Sequence, residues 1–192
     1  TVLIAMHEAR RTMGLALPTR EIQRALQSIR KQQSPDFSYV YSFSHQYRPR
    51  VYINRPGGSL ARAQVCSAAL RYYGDEAITD EILKVWLERL IHRNGWLDIA
   101  RKRPVPHETH FANSGYFYYY GHYYATDCVA LLEESDRSVY YQNLANIMLG
   151  KQEKDGSWWD YPLYSYHQAY GTGYVLTTLA RCRQGLVSGT LP

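Results

Sequence analysis

The tyrosine-rich stretch NSGYFYYYGHYYATDCVALLEE contains the residues best suited to chemistry. Tyr119, Tyr123 and Asp127 are spaced i, i+4, i+8, while Tyr118 and His122 are four residues apart. If the stretch is helical, these two series form adjacent stripes, because residues three or four apart are neighbours on a helix surface. His122 and Asp127 are therefore the candidate catalytic residues. For Asp127, a structural role beside a partner such as an arginine is the alternative, since buried carboxylates are seldom unpaired.

A second aromatic pair lies near the C-terminus, where Tyr170 and Tyr174 are again four residues apart and His167 precedes them. Rings that face a shared cavity could hold a carbocation or an isoprenoid by cation–π and apolar contacts. They could equally stack on sugar rings, or simply pack between helices. The predicted ligand-binding residues are Tyr118, Tyr119, Tyr123, His167, Tyr170 and Tyr174.

Two histidines in the segment PVPHETHF, His107 and His110, are candidate metal ligands, with His122 or Asp127 as a possible further ligand. Their spacing is not that of a His-Glu-x-x-His zinc motif, and exposed loop histidines are the simpler interpretation. The three cysteines form no CxxC pair, which indicates small buried side chains and not a disulfide framework. No cofactor is predicted.

Composition narrows the class of protein. A chain of 192 residues, 45% of them apolar, is long enough to form one folded domain with a substantial core. Its 19 tyrosines against 4 phenylalanines favour a solvent-lined cavity or groove over a dry core. The densest basic groups lie in the loops at 48–55 and 101–103, which favours an anionic ligand or membrane surface over nucleic acid, although a solvated loop is the simpler interpretation of either group. No stretch is apolar for long enough to span a bilayer, and no localisation is predicted.

Hydrophobic periodicity indicates helices almost throughout the chain. Thr79 and Ser138 are predicted N-caps, and Gly74 is a predicted C-terminal stop. Helices with a charged face alternate with helices that are nearly all apolar, which predicts an outer layer around an inner one. The charged helices are expected at 19–33, 79–93 and 138–152. The apolar helices are expected at 59–73, 114–134 and 168–183.

A repeat of 62 residues supports this arrangement, since Trp96 and Trp158 are 62 residues apart and so are Asp98 and Asp160. The opening VLIAMHEAR aligns with VLTTLARCR of the last apolar helix, so the chain is expected to begin inside an inner helix. We therefore expect a single domain over residues 1–192, truncated at its N-terminus, from a longer array of helix pairs.

The segment KQEKDGSWWD carries the most specific motif, in which Gln152, Gly156 and Trp158 form Gln-x-x-x-Gly-x-Trp after a helix. Asn94-Gly95-Trp96 keeps only the Gly-Trp, and Gln32-Gln33 with Asp36-Phe37-Ser38-Tyr39 is a weaker version. The pattern resembles the QW-type repeat of the squalene cyclase and protein prenyltransferase superfamily. It looks most like bacterial proteins that carry prenyltransferase and squalene oxidase repeats.

The resemblance implies structural roles for Trp96, Gln152, Gly156 and Trp158. The glutamine would satisfy backbone groups at the end of the outer helix, the Asp-Gly-Ser segment would turn, and the tryptophan would fill the gap beneath. The implied fold is an all-α, α/α toroid, here a half-ring of about three and a half helix pairs. The N-terminal ends of the inner helices would line its central cavity.

The chain departs from the active members of that superfamily. It has no Asp-x-Asp-Asp acid cluster, no Asp-x-Cys zinc pair and no Cys-Gly-Glu-Gln thioester motif. The expected function is binding of an apolar or isoprenoid-like ligand in a tyrosine-lined central cavity, and no enzymatic activity is assigned. The alternatives are a polysaccharide lyase or glycan-binding toroid, and a structural module that self-associates or pairs with missing repeats.

Overall fold

The computed structural model describes residues 1–188 and is built from helices, with no strand among these residues. Three short 3₁₀ turns accompany them, and one isolated bridge pairs Gln33 with Tyr39. The all-helical prediction is therefore confirmed. The helices are α1 (Val2–Met13), α2 (Thr19–Lys31), α3 (Pro56–Tyr72), α4 (Asp80–His92), α5 (Gly95–Asp98), α6 (Tyr118–Ala130), α7 (Glu134–Leu149) and α8 (His167–Ser188).

Local signals fix the α3–α4 junction as predicted. Gly74 has a φ of 78°, a left-handed conformation that suits glycine after a helix, and its N–H donates to the carbonyl of Arg71. The hydroxyl of Thr79 accepts a hydrogen bond from the N–H of Ile82 at 3.4 Å, which caps the start of α4. No helix in residues 1–188 is long and apolar enough to cross a membrane.

Two predicted helix starts were wrong. α7 begins at Glu134, so Ser138 lies inside it and is not its cap. Two acidic residues in the first turn favour the earlier start, because negative charge is stabilised at a helix N-terminus, and Asp136 also pairs with Lys84 at 2.6 Å. α6 begins only at Tyr118, since the residues before it form a 3₁₀ turn.

The helices form two layers, as predicted. α1, α3, α6 and α8 are neighbours in chain order, and α2, α4 and α7 pack against them. α3 and α6 approach closely where Gly121 meets Ala61, because a Cβ on Gly121 would lie 2.7 Å from the methyl of Ala61. The thiol of Cys128 donates to the carbonyl of Gln64 at 3.2 Å across the same contact. The three cysteines are free, and burial raises the pKa of each thiol.

The turn after α7 is built by its own side chains. The carboxylate of Asp155 accepts hydrogen bonds from the N–H and the hydroxyl of Ser157, at 3.0 and 2.7 Å, and Gly156 between them has a φ of 87°. Trp158 is buried, and its indole N–H donates to the carbonyl of Met148 in the last turn of α7, at 2.8 Å. The helix end is therefore bound by the tryptophan. Gln152, in contrast to the implied role, donates to the carbonyl of Gly156 within the turn.

The turn after α2 has the same construction. The carboxylate of Asp36 accepts hydrogen bonds from the N–H and the hydroxyl of Ser38, at 3.1 and 2.7 Å, and Phe37 between them has a φ of 61°. Tyr39 takes the place of the tryptophan and is buried. Here a glutamine does bind the helix end, because the amide of Gln32 donates to the carbonyl of Ser28.

The segment after α4 folds differently. Gly95 and Trp96 lie in the short helix α5, and no Asp-x-Ser turn forms. Trp96 is 36% exposed and packs against the rings of His110 and Phe111, so it does not fill a gap in the core as Trp158 does.

Candidate functional site

A cleft of about 1150 Å³ lies between α1, α6, α7 and α8, and Tyr72 of α3 also lines it. It lies beside the C-terminal halves of α6 and α8, whereas the resemblance implied the N-terminal ends of the inner helices. Its polar character comes from six charged side chains of both signs. They are Glu8, Arg11, Asp127, Glu134, Arg137 and Arg181.

An ion pair forms the floor of the cleft. Arg181 of α8 donates to the carboxylate of Asp127 on α6 at 3.0 Å, and the phenol of Tyr72 donates to the other carboxylate oxygen at 3.0 Å. The arginine also donates to the phenol oxygen of Tyr123 at 3.1 Å, and its guanidinium lies 4.4 Å from the centre of that ring. Asp127 thus has the arginine partner that the sequence left as an alternative to catalysis.

The protonation states follow from this geometry. Burial lowers the pKa of Arg181, but the charge of Asp127, its hydrogen bond to the arginine and the neighbouring phenols together outweigh burial, so the pKa is raised above its ordinary value. Burial and the neighbouring carboxylate raise the pKa of Tyr72, and burial raises the pKa of Tyr123. At neutral pH both phenols are therefore neutral, Tyr72 as a donor to Asp127 and Tyr123 as an acceptor from Arg181, and neither is activated as a base.

Tyrosine rings continue the site along α6 and α8. Tyr123 lies 5.1 Å from Tyr174, and Tyr174 lies 4.9 Å from Tyr170, measured between ring centres. A shallower cavity of about 480 Å³ is lined by these rings and shares Tyr123 and Tyr124 with the cleft. We call the two cavities together the tyrosine groove. Three predicted ligand-binding residues, Tyr123, Tyr170 and Tyr174, line it.

Tyr118 and Tyr119, in contrast to the prediction, are fully buried and lie outside the groove. The phenol of Tyr118 donates to Asn94 at 2.8 Å, and its ring packs edge-on against Tyr119 at 5.2 Å. The first turn of α6 is covered by the segment after α4 and by the carboxylate of Asp160, which accepts from the N–H of Tyr119 at 3.0 Å. Only the later turns of α6 face the groove.

His122 is a core residue. Its Nδ1 donates to the carbonyl of Tyr118 at 2.7 Å, and its Nε2 accepts from the amide of Asn94 at 2.7 Å. Burial lowers its pKa to about 4, so the ring is neutral at physiological pH. Because both nitrogens are engaged and the ring is fully buried, His122 does not supply a catalytic group to the groove, in contrast to the prediction.

The other predicted histidines are dispersed. His167 begins α8, hydrogen bonds to the carbonyl of Tyr164 and contacts the ring of Trp159, outside both cavities. His107 hydrogen bonds to the carbonyl of Ala112 and the phenol of Tyr41. His110 contacts a different set of rings, those of Tyr52, Trp96 and Phe111. Within residues 1–188 no group of three or more His, Cys, Asp or Glu side chains could hold a metal ion.

Sequence reasoning missed Arg181, the residue that links the two tyrosine-bearing helices. It lies two helical turns after Tyr174, so the helical period could have placed both on one face of α8. Its partner on α6 lies 54 residues away, and no local spacing signals a pair at that separation.

Comparison with known proteins adds no relative. No family model, no curated protein and no solved structure matches the chain.

Proposed function

We propose that the tyrosine groove binds a neutral glycan. The observation that carries the proposal is the combination, in one groove, of tyrosine ring faces with a fixed network of donors and acceptors around Asp127 and Arg181. Sugar rings present apolar faces that stack on aromatic rings and hydroxyl groups that need directional partners. A network already held in place by Tyr72 and Tyr123 loses little entropy when a hydroxyl joins it.

The charges in the cleft support a neutral ligand. Among the charged side chains of the lining, three arginines face three carboxylates, Glu8, Asp127 and Glu134, so these side chains balance. Arg11 is paired with Glu8 at 2.6 Å and Arg181 with Asp127 at 3.0 Å. Two of the three arginines are therefore already neutralised by carboxylates and are not free to bind the carboxylates of an acidic polysaccharide.

The same charges count against the isoprenoid-like ligand expected from the resemblance. An apolar chain in the cleft would cover the Asp127–Arg181 pair, which removes water from charged groups without replacing its hydrogen bonds. The apolar alternative fits only the shallow end of the groove, where Tyr170 and Tyr174 lie.

The surrounding architecture is proposed to be part of an α/α toroid. Two features support this: the inner and outer layers alternate along the chain, and the turns after α2 and α7 share one construction. In a toroid of this kind the tyrosine groove would lie on the concave side of the inner layer, and further repeats or a second copy would extend it.

Titration calorimetry with neutral oligosaccharides tests the proposal. Tyr174→Ala removes a half-buried ring from the groove and should weaken binding about five-fold, since an aromatic contact is worth roughly 1 kcal/mol. Tyr164→Ala is the matched control, because Tyr164 is exposed and lies outside the groove.

Two results would overturn the proposal. One is the absence of glycan binding together with saturable binding of a fluorescent prenyl probe, which would restore the apolar-ligand hypothesis. The other is equal weakening by Tyr174→Ala and Tyr164→Ala, which would place the binding site elsewhere.

A further inference from the structure

The loop between α2 and α3 is held from within by one buried side chain. The amide oxygen of Asn54 accepts from the N–H of Tyr41 at 2.8 Å, and its amide nitrogen donates to the carbonyl of Arg48 at 2.7 Å. Arg62 of α3 donates to the carbonyl of Ile53 from below. The loop is therefore a compact, ordered unit, of the kind that frequently carries function.

The outer side of this loop exposes large apolar side chains. Tyr47 is 85% exposed, Phe43 is 51% exposed and Tyr52 is 48% exposed. Val51, also exposed, lies between them in the sequence. A loop that is fixed in place yet leaves four large apolar side chains in water is characteristic of an interaction surface.

From residue 37 onward, the same loop carries several arginines and no acidic residue that would balance their charge. Arg48 and Arg50 are exposed, and Arg55 lies 4.8 Å from the centre of the Tyr52 ring. The segment from residue 37 to residue 74 contains no aspartate or glutamate. We call the exposed face of Phe43, Tyr47, Arg48, Arg50, Val51 and Tyr52 the loop surface.

We infer that the loop surface binds an anionic lipid bilayer. Tyrosine rings favour the headgroup level of a membrane, where their apolar body and polar end are both accommodated. Arginines near an anionic surface are attracted to lipid phosphates. Phe43 and Val51 have no polar group to offer a soluble polyanion, whereas they gain from leaving water at a bilayer, which favours the lipid surface as the partner.

Neighbouring rings widen this surface. His110 lies 5.1 Å from Tyr52 and 5.5 Å from Trp96, so a row of rings leads from the loop to the half-exposed tryptophan. Tryptophan, like tyrosine, is favoured at membrane interfaces. Trp96, which has no role in the core, thus has a place beside the loop surface.

Co-sedimentation with phosphatidylcholine vesicles, with and without phosphatidylglycerol, tests the inference. The chain should bind the anionic vesicles. The double variant Arg48→Gln/Arg50→Gln should bind them roughly twenty-five-fold more weakly, since each arginine near such a surface contributes roughly five-fold. The double variant Arg20→Gln/Arg24→Gln is the control, because it removes the same charge from exposed positions on α2.

A second variant tests the apolar contribution. Phe43→Ser/Tyr47→Ser keeps every charge and should weaken binding at least ten-fold, with the loss persisting at high salt. Circular dichroism of each variant should match the parent, since all substituted side chains are exposed.

Three outcomes would overturn the inference. Equal losses in the two arginine variants would show attraction by net charge alone. Unchanged binding of Phe43→Ser/Tyr47→Ser would show that the rings do not enter the interface. Binding of a soluble acidic polysaccharide through Arg48 and Arg50, with none to vesicles, would replace the lipid by a polyanion.

Discussion

The turns after α2 and α7 fold alike although their sequences differ, whereas the segment after α4 resembles the second turn in sequence and folds differently. Asp36-Phe37-Ser38 and Asp155-Gly156-Ser157 make the same hydrogen bonds, at nearly the same lengths. Gly95-Trp96 keeps the more conspicuous residues and forms a helix. The lesson is that the aspartate and the serine specify this turn, and the Gly-Trp pair does not.

A contact from the following inner helix completes each of the two similar turns. The N–H of Tyr39 donates to the hydroxyl of Ser59 on α3 at 2.8 Å, and the N–H of Trp158 donates to the hydroxyl of Thr172 on α8 at 3.0 Å. Both hydroxyls also donate back to the carbonyl of the same aromatic residue. The repeated unit is therefore a turn together with a hydroxyl group from the next inner helix. In the segment after α4, Asn94 instead hydrogen bonds to the buried His122.

The largest expected effect separates the two tryptophans. Trp158→Ala removes a buried ring and the hydrogen bond to the carbonyl of Met148, so the free energy of unfolding should fall by about 3–5 kcal/mol. Trp96→Ala should cost about 1 kcal/mol, because that ring is partly exposed. Urea denaturation followed by circular dichroism measures both. Equal losses would mean that the two tryptophans have equivalent environments.

The second prediction concerns the pH dependence of stability. The segments after α4 and α7 each make a hydrogen bond to α6 that involves a titratable group, and burial shifts the stability contributions of these two groups in opposite directions as the pH falls. His122, bonded to Asn94, has a pKa lowered by burial to about 4 from 6.5, so acidification protonates the unfolded state first and stability falls. Asp160 has a pKa raised by burial to about 7 from 3.8, so acidification protonates the folded state first and stability rises. Between pH 7 and 4.5 each contributes about 2–3 kcal/mol, and the two oppose each other.

Asp160→Asn separates the two contributions. An amide oxygen can still accept from the N–H of Tyr119, while the titration at this position is removed. The variant should lose about 3 kcal/mol more than the parent between pH 7 and 4.5, and His122→Phe should show the reverse slope. The free energy of unfolding is measured by urea denaturation at each pH. If it changes with pH in the same way for the parent and for Asp160→Asn, then Asp160 does not oppose His122.

The sequence predicted the helices and their two layers because both depend on local period. α2 has apolar residues on one face, whereas α3 is buried on nearly every side, and that difference separates these two helices into different layers. The start of α6 could not be predicted, because it depends on a contact with the distant Asp160, whereas the acidic first turn of α7 is a local signal that the choice of Ser138 as its cap overlooked. Helix ends are set by whichever partner satisfies the backbone.

The candidate site was predictable in part. The spacing of Tyr123 and Asp127 placed them together, and the pair Tyr170 and Tyr174 on the next inner helix does meet them. The spacing could not tell which turns of α6 face the core, because a helix that is apolar all round gives no facing signal. For that reason Tyr118 was assigned to the groove although it packs beside Asn94.

The smallest expected effect compares a glycine of the turn after α7 with a glycine of the segment after α4. Gly156 has a φ of 87°, and a Cβ there would meet only the amide nitrogen of Gln152 at 3.9 Å, so the cost of Gly156→Ala comes from the left-handed backbone alone. We expect a loss of about 1 kcal/mol. Gly95 also has open space around it but lies in the helix α5, where alanine is favoured, so Gly95→Ala should gain about 0.5–1 kcal/mol.

Both substitutions add a methyl group at a position with open space, so packing changes little in either variant. If the change in unfolding free energy has opposite signs at the two positions, the difference comes from backbone conformation. Phe37 sits at a φ of 61° in the turn after α2, which shows that a side chain can be accommodated there when its ring packs against the core. Alanine at 156 has no ring to bury, so the backbone cost is not offset. Thermal unfolding of both variants gives the two signs, and a gain at both positions would mean that the turn after α7 is not left-handed in solution.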